Sequence, residues 1–303
     1  MRIATAQYQS NMNGSLQLNQ ERISTITQQM ASGKRILVPS DDPVDSVRLS
    51  RLQREEAALG QYRDNIASIK IRLSKTEGYL GNMVNDINAG RDQIVWALDG
   101  GNTPADLKAM ISPLEALRDS LFFSANTVDQ EGRYVFSGTV TDKAPVVYDA
   151  NAQPGARYSF AGNTNEQRVV VGNGLTQVAN ENLKGIEDLL NRIDATLATL
   201  GKSDLDVGDP ATRAVLEANL DGFDGALDLV SGKIAVLGGK QNILDTLDAN
   251  HGNVSLSNQM AITDIGQLDM GVAATELNGY STALQATYKA YSRIGSLSLF
   301  SAL

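Results

Sequence analysis

Residues 5–32 read TAQYQSNMNGSLQLNQERISTITQQMAS, a run rich in Gln, Asn, Ser and Thr whose only charges are Glu21 and Arg22. Met12, Leu16, Ile23, Ile26 and Met30 stand at gaps that alternate four and three once Asn19 takes one seam position. That is the period of a helix with a narrow apolar stripe. The other end of the chain reads alike. Ile265, Leu268, Val272, Leu277, Tyr280, Leu284, Tyr288 and Tyr291 form a second stripe, no charge follows Arg293, and Leu297, Leu299, Phe300 and Leu303 come last. Chain ends are normally polar and loose unless something ties them down. Two one-faced, charge-poor terminal helices need cover, from each other and then from further copies. The pattern is that of a subunit that polymerises through its ends.

Between these ends the punctuation is clear. Gly33 follows the first helix at the place of a left-handed C-cap. The stretch GKRILVPSDDPV (33–44) then reads as an extended loop and a helix start: Asp42 is a good N-cap, Pro43 suits the first helical position, and Asp45 adds negative charge to the first turn. From Val44 to about Leu98, Leu59, Tyr62, Ile66, Ile69, Leu73, Thr76, Leu80, Met83, Ile87 and Ile94 keep the three-four spacing. At 1.5 Å per residue this helix is about 80 Å long, the length of a rod element. Gly100-Gly101 stops it, and the pattern predicts another helix from Thr103 to about Glu131.

The character then changes. YVFSG, PVVY, RYSFAG and RVVVGNG are short strand-like runs, with Tyr134, Phe136, Val146, Tyr148, Tyr158, Phe160, Val169 and Val171 alternating. Ala150–Gly155 and Gly162–Asn165 read as turns, and Gly172–Gly174 as a hairpin tip. Helices resume near Leu183–Leu200, break at Gly201–Asp209, and restart at Pro210, from where helical spacing continues to the C-terminus with one interruption expected at Gly238-Gly239. The fold class is therefore mainly α with a small antiparallel β insert, and the helices from both chain ends pack together as in a coiled coil. The expected domains are a terminal assembly domain (1–42 with 262–303), a central long-helix rod (43–132 with 183–261) and an inserted β domain (133–182).

Composition narrows the function classes. Three hundred and three residues hold two or three compact units. A formal charge of −9 with no Lys/Arg cluster argues against a nucleic-acid partner. No run approaches 18 uninterrupted apolar residues, so no membrane span is expected, and MRIATAQYQSNMNG lacks the regions of a cleavable signal peptide. Cysteine is absent, which removes disulfides, thiolate nucleophiles and Cys-based metal sites. Aromatics at 5% and one Trp, Trp96, are sparse for a large enzyme core.

Four motifs in order resemble the flagellin superfamily. SGKRI with SDDPV at Ser40–Val44, followed by a long heptad helix, is similar to the N-terminal region shared by bacterial flagellins and hook–filament junction proteins. GRYVFSGT at Gly132–Thr139 is more typical of the junction group called hook-associated protein three. DMGVAATEL at Asp269–Leu277 and SRIGSLSLF at Ser292–Phe300 resemble the same superfamily. The resemblance implies terminal helices that line a tubular axial assembly, central helices as a second layer and an outward β unit. It also implies export through the flagellum, with the help of an export chaperone, to an extracellular ring of copies of the chain. On one side this ring meets a hook-side junction protein, on the other flagellin.

Every chemical reading has a plainer rival. Asp41, Asp42 and Asp45 form a carboxylate cluster, but capping accounts for them. His251 is the only histidine and falls in the seam between Leu247 and Val254, where packing is the expected role. Ser231-Gly232-Lys233 and Gly239-Lys240 are fragments of a phosphate loop without its glycine spacing or its strand, and read as turns or helix interruptions. No catalytic, cofactor or metal set is expected. The alternatives are a short flagellin that forms the filament itself, an enzyme with a site assembled from distant residues, and a coiled-coil adaptor.

Overall fold

A computed structural model describes residues 2–206 and 208–296. In chain order the elements are α1 (Arg2–Ser32), α2 (Pro43–Ala97), α3 (Pro104–Ala109), α4 (Ile111–Ala125), β1 (Val146–Tyr148), β2 (Tyr158–Phe160), β3 (Arg168–Gly172), β4 (Leu175–Val178), α5 (Ile186–Leu200), α6 (Pro210–Gly266) and α7 (Met270–Ser296). They form two compact units, one drawn from both ends (1–59 with 252–303) and one from the middle (60–251). Helices α2 and α6 each contribute to both.

The middle unit is built on two heptads. In α2, Ile66, Leu73, Leu80, Ile87 and Ile94 recur every seven residues and are buried; in α6, Leu216, Phe223, Val230, Leu237 and Leu244 do the same. A seven-residue repeat keeps one stripe facing its partner along a slightly underwound helix. Salt bridges Arg91–Asp224 (2.6 Å), Lys70–Asp245 and Arg63–Asp248 (2.9 Å) tie the two helices antiparallel. Gly90 sits where α2 meets the fully buried Phe223: a Cβ there would lie 2.5 Å from the Phe223 ring and would overlap Leu117. The glycine makes room for a large knob.

Helices α4 and α5 extend this core through Leu114, Leu121, Ile186, Leu190 and Ile193. The single helix expected from Thr103 to Glu131 is two shorter ones. Pro113 cannot follow Ala109 in one continuous helix, because its ring meets the carbonyl four residues back. Thr103 and Asp106 cap α3 reciprocally, and the second helix ends at Ala125. Helix α5 starts at Ile186, after Gly185 at φ 107°, rather than at Leu183. The interruption expected at Gly238-Gly239 is absent: α6 runs through it unbroken, since an exposed helical glycine only lowers stability by about 1 kcal/mol.

The β insert is two separate antiparallel hairpins, β1–β2 and β3–β4. YVFSG is not a strand. It is a loop with isolated bridges at Tyr134 and Ser137 and a fully buried Phe136. Gly138 turns at φ 74°, and a Cβ on it would overlap the Asn163 carbonyl. Tyr148, expected on the covered side, is exposed, and its ring lies 5.1 Å from that of Tyr158 at a tilt of 49°. Asparagine side chains complete the strand edges. Asn126 accepts from the Val146 amide and donates to its carbonyl; Asn191 does so for Tyr158; Asn180 accepts from Gln167 N–H and donates to Asn165. Two-stranded hairpins are marginal alone, and these brackets satisfy edge groups that would otherwise be left unpaired.

Candidate assembly interface

Helix α1 lies antiparallel to α7. The Leu268 amide donates to Gly33 O (3.0 Å) where the two helices meet their loops, and further along Gln20 donates to the Tyr288 hydroxyl (3.4 Å). Of the seam residues read from sequence, Met12 and Ile26 are buried, and Leu16, Ile23, Met30, Leu277, Tyr280 and Leu284 are half-buried. Ile265 and Leu268, half-buried, sit at the end of α6 and in the link to α7. The structure divides the second stripe. Ala273 is buried where Val272 stood in the periodic reading, while Val272 (55%), Tyr288 (49%) and Tyr291 (42%) are exposed. Leu297 and Leu299 lie outside the described residues.

The two units differ in how much apolar surface they bury. The continuous apolar core extends from Ile66 to Leu244, wholly within the middle unit. In the terminal unit the buried apolar side chains among the described residues are Met12, Ile26, Leu59 and Ala273. Tyr8, Leu18, Met270, Val272, Tyr288 and Tyr291 remain exposed on its helices. Full burial of a large apolar side chain contributes about 1.5–3 kcal/mol, so a neighbour that covered several of these would add to the stabilisation of the pair.

The loop between α1 and α2 is fixed by a residue that periodicity did not single out, Arg35. Its guanidinium bonds Asp42 (3.1 Å) and Asp45 (2.6 Å), and its Nε donates to Ile265 O (3.0 Å). Its amide donates to Gly266 O (2.8 Å), and its carbonyl accepts from Gln29 (2.6 Å). One arginine thus ties the end of α1, the start of α2 and the end of α6. The Asp42 carboxylate accepts from the Asp45 amide at 3.1 Å, the bond of an N-cap to the third helical position, with Pro43 first in the helix. That amide, then the Arg35 guanidinium, holds the Asp42 carboxyl below the usual carboxylate range. Asp41 accepts from the Leu37 and Val38 amides and closes the loop. The sequence signal for the clasp was a cation within a loop that leads to three carboxylates; its partner carbonyls on α6 are 230 residues away and left no trace.

The break between α6 and α7 was also missed. Asp269 accepts from the Gly271 and Val272 amides and caps α7. His251 accepts no special chemistry: its Nε2 meets Val171 O at 2.7 Å and its ring lies against Tyr62, so it binds a hairpin to α6. Ser231-Gly232-Lys233 and Gly239-Lys240 are neither turns nor interruptions but helix interior, where Lys233 and Lys240 converge on the buried Glu181.

Similarity to known proteins agrees with this architecture. The family model for the bacterial flagellin N-terminal helical region matches residues 3–141. The flagellar hook-associated protein 3 of Escherichia coli (strain K12) is 28% identical over 314 residues, with 99% of each chain covered. That of Salmonella typhimurium is 26% identical over 315 residues at the same coverage. Among solved structures, a flagellar hook-associated protein from Vibrio parahaemolyticus is 33% identical, with a TM-score of 0.67 over 75% of this chain and 100% of that one. With its long paired helices, its β hairpins in mid-chain and end-to-end correspondence with these proteins, the chain belongs to the hook-associated protein 3 family of the flagellin superfamily.

Proposed function

We propose that this chain is a non-catalytic structural subunit of the bacterial flagellum that joins hook to filament. The observation that carries the reading is the terminal unit, whose helices α1 and α7 leave Tyr8, Leu18, Met270, Val272, Tyr288 and Tyr291 exposed and bury few apolar side chains among the described residues. Copies of the chain cover one another's terminal helices in a ring, with Met12, Leu16, Ile23, Ile26, Met30, Leu277, Tyr280 and Leu284 holding the pair and Val272, Tyr288 and Tyr291 meeting neighbours. In this reading 1–42 with 262–303 assemble, 43–132 with 183–261 form the long-helix layer, and 133–182 face outward. A hook-side junction protein and flagellin flank the ring, and an export chaperone covers the apolar ends before assembly. Similarity along 99% of hook-associated proteins rather than flagellins favours this role over a filament subunit.

Deletion of the chain tests it. Hooks should form without filaments, and flagellin should accumulate in the medium; normal filaments on the deletion strain would end the proposal. Antibody to the chain should label one band at the hook–filament boundary, whereas label along the filament would favour the flagellin reading.

A further inference from the structure

A cleft of about 870 Å³ opens in the middle unit between the outer face of α2 and the 129–141 loop. Ile71, 60% exposed, joins Tyr79, Tyr134 and Val135 in its apolar wall. Arg72 and Lys75, three apart on one helix face, supply its charge. The other charges in the cleft are already engaged. Asp129 accepts from the Glu131 and Arg133 amides, and Glu131 pairs with Arg133. Arg72 has only the neutral Gln167 oxygen (2.9 Å), and burial pulls its guanidinium below the usual arginine range. Lys75 has no carboxylate partner among the described residues. Asp129 and Glu131 act on Arg72 through space only, and with Arg72, Lys75 and Arg133 against these two carboxylates the cleft keeps a net positive charge and no carboxylate bonded to Arg72 or Lys75.

The same unit holds a complementary surface. On α6, Asp221 and Asp228 are exposed, seven residues apart and so on one helix face, with Gly225 between them. Their neighbours Glu217 and Asp224 are neutralised by Arg213 and Arg91, but no described cation pairs with Asp221 or Asp228. A ring of identical subunits joined head to tail needs two different, matching patches on each copy. In a chain of net charge −9, cation-to-carboxylate contacts are also where copies attract rather than repel. We propose that the Arg72–Lys75 cleft receives the Asp221–Asp228 ridge of a second copy of this chain, a contact that rests on the ring-forming role proposed above.

The chain has no cysteine, so Lys75→Cys and Asp228→Cys introduce the only thiols. Within one chain they cannot pair. The Arg91–Asp224 and Lys70–Asp245 bridges place Asp228 near Ile87, about 18 Å along the helix axis from Lys75 and outside disulfide reach. Hook–filament preparations from cells that carry the double variant, oxidised and run without reductant, should show a ladder of covalent oligomers; each single variant should remain monomeric. Arg72→Glu added to the double variant should reduce the ladder at least tenfold, and Asp221→Arg added to that should restore it. A monomer from the double variant in preparations that contain the chain, or a ladder indifferent to Arg72→Glu, would overturn the docking and leave the junction role standing. A dimer from either single variant would replace it with a symmetric contact. Absence of even the unaltered chain from the preparations would instead overturn the junction role, and the docking with it.

Discussion

At the scale of single residues, two positions show how local preference yields to neighbours. Alanine is the better helix former by about 1 kcal/mol, yet Gly90 faces the Phe223 ring at 2.5 Å from any added Cβ. Overpacking of a closed core costs about 1–3 kcal/mol, so Gly90→Ala should lower the thermal midpoint. Gly60→Ala, on the same helix with open space around it, should raise it; opposite signs in a melting experiment are the check. The second position is Asp42. Asp42→Ala should weaken protection of the Asp45 amide in hydrogen exchange, while Asp42→Ser should restore most of it, because a hydroxyl caps as a carboxylate does. The pH sense follows from the Asp42 carboxyl being held low by the Asp45 amide and then Arg35. Its contribution is complete above the unfolded value of about 3.9 and disappears as pH falls through the lower folded value. Protection of the Asp45 amide should therefore fall in acid below about pH 4 in the native chain and vary less in Asp42→Asn. A chelator-sensitive loss that Asp42→Ser reproduced would point to a metal instead.

At the scale of elements, α2 with α6 and α1 with α7 are the same device in two states of completion. The first pair has buried heptads, cross-helix salt bridges and a third layer in α4 and α5. The second has one narrow seam and an exposed outer side. An aspartate placed in that seam would be desolvated without a partner. Ile26→Asp or Leu284→Asp should therefore leave the middle unit's thermal unfolding nearly unchanged and abolish filament attachment and swimming. Wild-type swimming by Leu284→Asp would exclude the seam as an assembly element.

At the scale of the whole molecule, stability is distributed unevenly. Local opening follows apolar burial, and the terminal unit has four buried apolar side chains among its described residues while the core lies between Ile66 and Leu244. Limited proteolysis of purified monomer should cut within α1 and α7 first and leave a resistant product spanning the middle unit. Equal resistance of α1 and α7 in dilute monomer would contradict a unit that awaits its neighbours.

Most of the helical architecture was legible in the sequence because its causes are local or periodic. Heptads identify α2 and α6, Pro43 and Pro210 start helices, and Gly33 at φ 69° ends one. The narrow seam of the terminal pair was legible for the same reason, through Met12, Ile26, Leu277 and Leu284. The remainder depended on groups far apart in the chain. YVFSG became a loop because Asn163 and the Gly138 turn claimed its edge, and the hairpins hold because Asn126, Asn180 and Asn191 bracket strand ends up to 33 residues away. Arg35 reads as an ordinary loop cation until α6 presents it with the Ile265 and Gly266 carbonyls. Periodicity reports what one helix repeats along itself; only tertiary structure decides which distant carbonyl, ring or carboxylate comes to meet it.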